Sequence, residues 1–349
     1  MTRGERGKAG VEGRRRSWRW RFAGQFVVAW IASLGTAGCG APLLSEVPRD
    51  QQGSFDAAID HDGSERTFRL HVPPAASAAE RRPLLVVLHG GGSSGSGMEE
   101  VTGFSRIADR EGLLVVYPNG TGGPHGLGRA WNAGGCCGPP AWLGVDDVGF
   151  VGRLVDVLAE RHPVDRSRIF LVGYSNGGLL ALRLATTTGQ RYAGLALYAA
   201  TMPGWGPVVA PEFDYAPPDH PMTVVAIHSY ADPWVKYQGR ETNGATDVSF
   251  DHVGQFWAWS ARCPRRAGRV YEFGRSALVR HYRGCAAGTE VKQITLFRWD
   301  HEWPGPANLA DLDDHPLRRF DAAEEIWKVF AGQRLAPPHI AGAATRKVQ

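Results

Sequence analysis

The chain has 349 residues, 43% hydrophobic and 21% charged, and its 45 glycines fall in short clusters with no collagen-like period, internal repeat or long low-complexity tract. That is enough chain to bury the core of one α/β domain. The net charge of +4 sits at the start: Met1 to Arg21 carries eight basic residues against Glu5 and Glu12, and subtracting that surplus of six from +4 leaves −2, which excludes an electrostatic nucleic-acid binder.

Residues 1–39 read as an export segment. Basic residues are followed by the uncharged stretch 22–38 (FAGQFVVAWIASLGTAG), the order of a secretory signal, too short and too rich in small residues for a membrane span. It closes on Thr36-Ala37-Gly38-Cys39, similar to the lipobox of bacterial lipoproteins, with Thr36 where leucine is usual. Lipidation of Cys39 with a membrane lipid anchor, ordinary cleavage nearby and an uncleaved signal anchor stay open as alternatives. Arg15-Arg16 hints at twin-arginine export, but Arg19 stands where that signal has a hydrophobic residue. The expected location is secreted or in the bacterial cell envelope as a lipoprotein.

A polar lead-in is expected over 40–60, a catalytic domain over 61–333 and a flexible tail over 334–349. The alternation of 66–72 (RTFRLHV) predicts an early edge strand, and the apolar runs 84–88 (LLVVL) and 113–117 (LLVVY) predict strands buried on both faces, with a helix over 104–110 between them. A long irregular region, 119–144, precedes a helix over 147–161. Next come a strand at 168–172 (RIFLV), a helix from 176 to 185, strands at 195–198 and 223–227, a helix over 250–261, a strand near 291–297 and a helix over 322–330. This βαβ rhythm implies an α/β fold, a mostly parallel central sheet with helices on both faces.

Besides Cys39 there are four cysteines. An oxidising destination favours disulfides, and no histidine accompanies them at zinc-ligand spacing, so no metal is expected. Cys263 and Cys285 are the expected bridge, worth roughly 3 kcal/mol on the chain-entropy estimate. Adjacent Cys136 and Cys137 form either a vicinal disulfide or free thiols.

Gly173-Tyr174-Ser175-Asn176-Gly177 is a G-x-S-x-G pentapeptide between a buried strand and a helix, the setting of the nucleophile elbow of α/β-hydrolases. Serine needs a base within hydrogen-bond reach, itself oriented by a carboxylate, and in this fold the chain order is Ser, acid, His. Asp232 follows the strand ending at His228, and His301 follows the strand ending near Phe297, so both fall in loops at strand carboxyl ends. Asp251 and Asp300 compete for the acid role; the first lies in a predicted helix and the second adjoins the histidine it would orient. For the oxyanion, the N–H of Asn176 and an N–H of His89-Gly90-Gly91-Gly92 are the expected donors, Gly91 first and Gly90 as alternative.

Taken together, L-H-G-G-G, W-N followed by C-C-G and V-D-D-V-G-F, G-x-S-N-G-G, x-A-D-P and H-x-W-P-G resemble, over 83–305, the polyhydroxybutyrate depolymerase and feruloyl esterase-like hydrolases, including LpqC-type lipoproteins. The resemblance implies an exported esterase with a triad of Ser175, Asp232 and His301. It also implies that Trp131, Asn132 and Trp303 bind substrate or support the site, with Asp146 and Asp147 in support. Tyr174, where the family often has His, and Trp299-Asp300, in place of glycines, depart from the pattern. The implied substrate is a polyester oligomer or an acyl ester on polysaccharide, with no metal or organic cofactor. An acyltransferase on the same fold and a ligand-binding envelope lipoprotein without catalysis are the alternatives. The oligomeric state is not legible in the sequence.

Overall fold

The computed structural model describes residues 47–74, 80–123, 126–202, 216–242, 245–309 and 314–336, all within the compact unit Pro42–Gln349. The export segment 1–39 with Cys39, the first part of the lead-in and the tail from 337 lie outside the described residues. In chain order the elements are β1 (Gly53–His61), β2 (Ser64–Val72), β3 (Arg82–Leu88), α1 (Gly95–Thr102), α2 (Phe104–Glu111), β4 (Leu114–Pro118), α3 (Gly138–Trp142) and α4 (Asp147–Arg161). They continue with β5 (Val164–Tyr174), α5 (Asn176–Thr187), β6 (Gly194–Tyr198), β7 (Thr223–Ser229), β8 (Arg240–Thr242), β9 (Ala245–Asp247) and α6 (Phe250–Ser260). The last are β10 (Gly268–Glu272), β11 (Ala277–Tyr282), β12 (Val291–Leu296), α7 (Pro306–Leu309) and α8 (Ala322–Phe330).

One ten-stranded sheet runs β1-β2-β4-β3-β5-β6-β7-β12-β11-β10, and β8 pairs with β9 apart from it. The six central strands are parallel, while β1-β2 and β11-β10 extend the two sides antiparallel. All seven residues of β3 are buried, as a central strand covered on both faces requires. Its alternate residues divide between two cores. Leu84, Val86 and Leu88 pack with Phe150 and Leu154 of α4 and Leu180 of α5. Leu85 and Val87 pack with Ile107 of α2 and Ile326 and Phe330 of α8. Helices therefore cover both faces, and the fold is that of an α/β-hydrolase.

Three expectations are corrected. The strand at 66–72 is not at the edge: β2 lies between β1 and β4, and β1 is the edge strand. The lead-in 40–60 contains most of β1, whose buried residues Phe55, Ala58 and Ile59 form no continuous apolar run. The region 119–144 is not irregular throughout, since α3 lies within it. From β3 the chain crosses to β4 on one side and then to β5 on the other, so the loops after β3 and β5 diverge at a topological switch point. In open α/β sheets that is where ligands bind.

Candidate active site

Ser175 joins β5 to α5 with φ 53° and ψ −119°, a conformation that costs a non-glycine residue energy unless its surroundings impose it. The surroundings are crowded. A Cβ on Gly173 would sit 2.3 Å from Gly177 O, and one on Gly177 would sit 2.4 Å from Leu88 O and His89 O. Only glycine at these two positions lets the turn pass between β3 and α5, which is why the pentapeptide has its form. The Ser175 N–H donates to Tyr198 O of β6 (2.9 Å) and fixes the turn against the sheet.

Side chains from three strand ends meet here. His301 Nε2 lies 2.9 Å from Ser175 Oγ, and His301 Nδ1 lies 2.7 Å from Asp232 Oδ2. With Nδ1–H donating to the carboxylate, Nε2 is free to accept the serine proton. The Asp232 side chain is wholly buried, and its other oxygen accepts from the N–H groups of Trp234 (2.8 Å) and Val235 (2.9 Å). Burial pushes its carboxyl up, but the bond to and charge of His301, with the two backbone donors, outweigh this and hold it below the usual carboxylate range. The competing acids are engaged elsewhere. Asp251 accepts from Tyr237 O–H (2.6 Å) and Arg280 Nη1 (3.0 Å), and Asp300 accepts from the N–H of Glu302 (2.9 Å).

Asn176 opens α5, so its backbone N–H has no partner within the helix. Its side chain is bonded twice to Trp131: Trp131 N–H donates to Oδ1 (2.8 Å), and Nδ2 donates to Trp131 O (3.2 Å). The Trp131 indole N–H donates to His89 O (2.8 Å). His89 accepts from Gly120 N–H at Nε2 (2.9 Å), so its Nδ1–H donates to Gly90 O (2.7 Å). Burial lowers the His89 imidazole to about 4, which keeps it neutral and suited to accept at one nitrogen and donate from the other. The glycine loop is thus tied to the start of α5. Within it, Gly92 N–H is spent on Arg129 O (2.6 Å), while Gly91 is exposed and has open space where a Cβ would stand.

Trp131, Asn132 and Trp303, expected to bind substrate or support the site, are buried. Trp131 and Trp303 are 0% and 1% exposed and Asn132 is 9% exposed. Trp303 packs edge-on to Phe104 and Tyr198 beneath the histidine loop. Asn132 N–H donates to the buried Asp147 (2.7 Å), which pairs with Arg66 (2.6 Å). These residues shape the site from behind. Asp146 caps α4 by accepting from Gly149 N–H (2.8 Å). Large apolar side chains are exposed in the segments that leave this edge of the sheet: Tyr230 and Trp234 after β7, and Leu127, Trp142 and Leu143 between β4 and α4. None of these was singled out in the sequence, because no local pattern in these segments marks which side chains are exposed.

Cys263 and Cys285 form a disulfide, with S–S 2.01 Å, that joins the end of α6 to the segment before β12, and Cys136 and Cys137 are bonded to each other. Among the described residues one group of metal-ligand types, His61, Asp62 and Asp146, has donor atoms within 4.8 Å of one another. His61 and Asp62 sit at the β1-β2 turn, and Asp146 is already engaged as the cap of α4.

Residues 66–210 match the family model described as Esterase PHB depolymerase. The chain is 34% identical to a candidate esterase, NocK, of Nocardia uniformis subsp. tsuyamanensis, over 70% of this chain and 72% of that protein. It is 24% identical to the bifunctional acetylxylan esterase/xylanase XynS20E of Neocallimastix patriciarum, over 61% of this chain but only 27% of that longer protein. Among solved structures, an acetyl xylan esterase from Aspergillus awamori superposes with a TM-score of 0.52 at 11% identity, covering 76% of this chain and 94% of that one, a likeness of fold. With the relative matched over most of both chains and the family model spanning the elbow, the chain belongs to the esterase PHB depolymerase family.

Proposed function

We propose that the protein is an exported serine esterase that hydrolyses carboxylic esters through Ser175, His301 and Asp232. The observation that carries the reading is the continuous hydrogen-bonded line from Ser175 Oγ through His301 to a buried Asp232 at the carboxyl edge of the sheet. Ser175 Oγ attacks the ester carbonyl carbon as its proton passes to His301 Nε2, and Asp232 stabilises the imidazolium that results. The N–H groups of Asn176 and Gly91 face the oxyanion. His301 returns the proton to the leaving alcohol as the C–O bond breaks. A water then gives a proton to His301 as it attacks the acyl carbonyl carbon, and the bond from that carbon to Ser175 Oγ breaks as His301 passes the proton to Oγ, which releases the carboxylic acid and restores Ser175. Ester and water balance the reaction.

Tyr230 and Trp234, exposed aromatic side chains on the loop that carries Asp232, favour an apolar or aromatic acyl group. Together with the family and the acetylxylan activity in the name of one relative, this favours hydroxyalkanoate oligomers or feruloyl and acetyl esters on polysaccharide as substrates. A fluorophosphonate probe tests the nucleophile: the expected result is one adduct on the peptide containing Ser175, and an adduct elsewhere or none on folded protein contradicts the reading. The basic and apolar leader supports a secreted or envelope location, with Cys39 as the lipidated residue. Incorporation of a labelled fatty acid that persists in Cys39→Ser would refute that lipidation.

A further inference from the structure

The loops carrying Asp232 and His301 leave the sheet side by side. They follow β7 and β12, parallel neighbours whose register ends with Ser229 opposite Leu296. Past that point one backbone bond, from Tyr230 N–H to Leu296 O (2.9 Å), continues the ladder. Ser229 is wholly buried, and the acyl-transfer steps make no use of it. A hydroxyl has one hydrogen to donate and two lone pairs to accept with. Ser229 Oγ donates to Trp299 O, two residues before His301, and accepts from Ala231 N–H (3.2 Å), the residue before Asp232.

We propose that Ser229 is a positioning residue whose hydroxyl couples the acid loop to the base loop and so sets the His301–Asp232 hydrogen bond. The proposal rests on the reading of Ser175, His301 and Asp232 as a triad. The far side of His301 is pinned as well: Tyr198 O–H and Trp299 Nε1–H (2.6 Å) both donate to Glu302 O. Between Leu296 and Trp299, whose carbonyls both accept from the acid loop, Arg298 is held at φ 64°, a left-handed conformation that a non-glycine residue keeps only when its surroundings impose it. Without the Ser229 hydroxyl, the Trp299 carbonyl and the Ala231 N–H lose a buried partner, and each loop relaxes separately. Reaction rates are sensitive to displacements of this kind, on the order of 1 Å.

The test is steady-state hydrolysis of p-nitrophenyl acetate by the full chain and its Ser229→Ala and Ser229→Cys variants. Cysteine keeps nearly the serine volume but is a weak donor. Both variants are expected to lose about tenfold in kcat with KM changed by less than about twofold, and to displace the acid limb of the pH–rate profile. Wild-type kcat in Ser229→Cys would mean that volume matters and the hydrogen bond does not, which overturns the proposal. Unchanged kcat in both variants overturns it too. If Ser229→Ala does not fold, Ser229→Cys carries the comparison. Folded wild-type protein without turnover defeats the triad reading and this one with it, whereas wild-type turnover matched by both variants defeats this one alone.

Discussion

Ser175 holds a left-handed backbone because Gly173 and Gly177 let two strands and a helix approach it, and the same crowding points its hydroxyl at His301. Asp232 has a narrower task. Through its bond to Nδ1–H it selects the imidazole tautomer whose Nε2 accepts. Asp232→Asn keeps the shape and loses that selection, so kcat should fall by roughly 10³ to 10⁴ with KM little changed, read from steady-state kinetics on a soluble ester. A variant within a few-fold of wild type would remove Asp232 from the reaction. The meeting of Ser175, His301 and Asp232 was legible in the sequence, since the elbow pentapeptide, the chain order and the place of each loop after an apolar run depend on local pattern. The bonds made by Ser229, Tyr198 and His89 were not. They join positions 31 to 104 residues apart, and a short polar side chain at the end of a strand looks alike whether it faces solvent or a neighbouring loop.

At the scale of elements, two strands end in buried histidines. His89 follows β3, and His228 near the end of β7 donates from Nε2 to Val235 O (2.9 Å), closing the acid loop. Burial lowers both imidazoles to about 4. Their folded values lie below the unfolded value of about 6.5, so the stability they contribute is complete above that pH and is lost as pH falls toward about 4. Thermal melts across this window should show a falling Tm, and a flat profile would mean that neither histidine is held neutral. The central strands and α4, α5, α6 and α8 were legible because each buries a periodic or continuous apolar set. The margins were harder. β10 is almost entirely exposed and so has no apolar alternation to betray it, and α1 buries only Gly95, Met98 and Thr102 along a glycine-containing segment.

Across the molecule, the Cys263–Cys285 bridge closes a loop at a sequence separation of 22 beside the last parallel strand. Replacing both cysteines by serine should destabilise the protein by about 3 kcal/mol, seen as a lower Tm that reductant does not lower further. A Tm equal to wild type would show that the bridge contributes nothing. The parallel sheet gathers the elbow, the glycine loop, the acid and the base at one edge, although 212 positions separate His89 from His301 in the chain. That convergence is the basis of the central claim, that Ser175 is the nucleophile of an esterase. Hydrolysis of p-nitrophenyl butyrate by the purified protein beside its Ser175→Ala variant tests it most directly, with circular dichroism to establish that both are folded. The account predicts turnover by the wild type and a loss on the order of 10⁶ in kcat for the variant; equal rates in the two, or no turnover by the folded wild type, would contradict it.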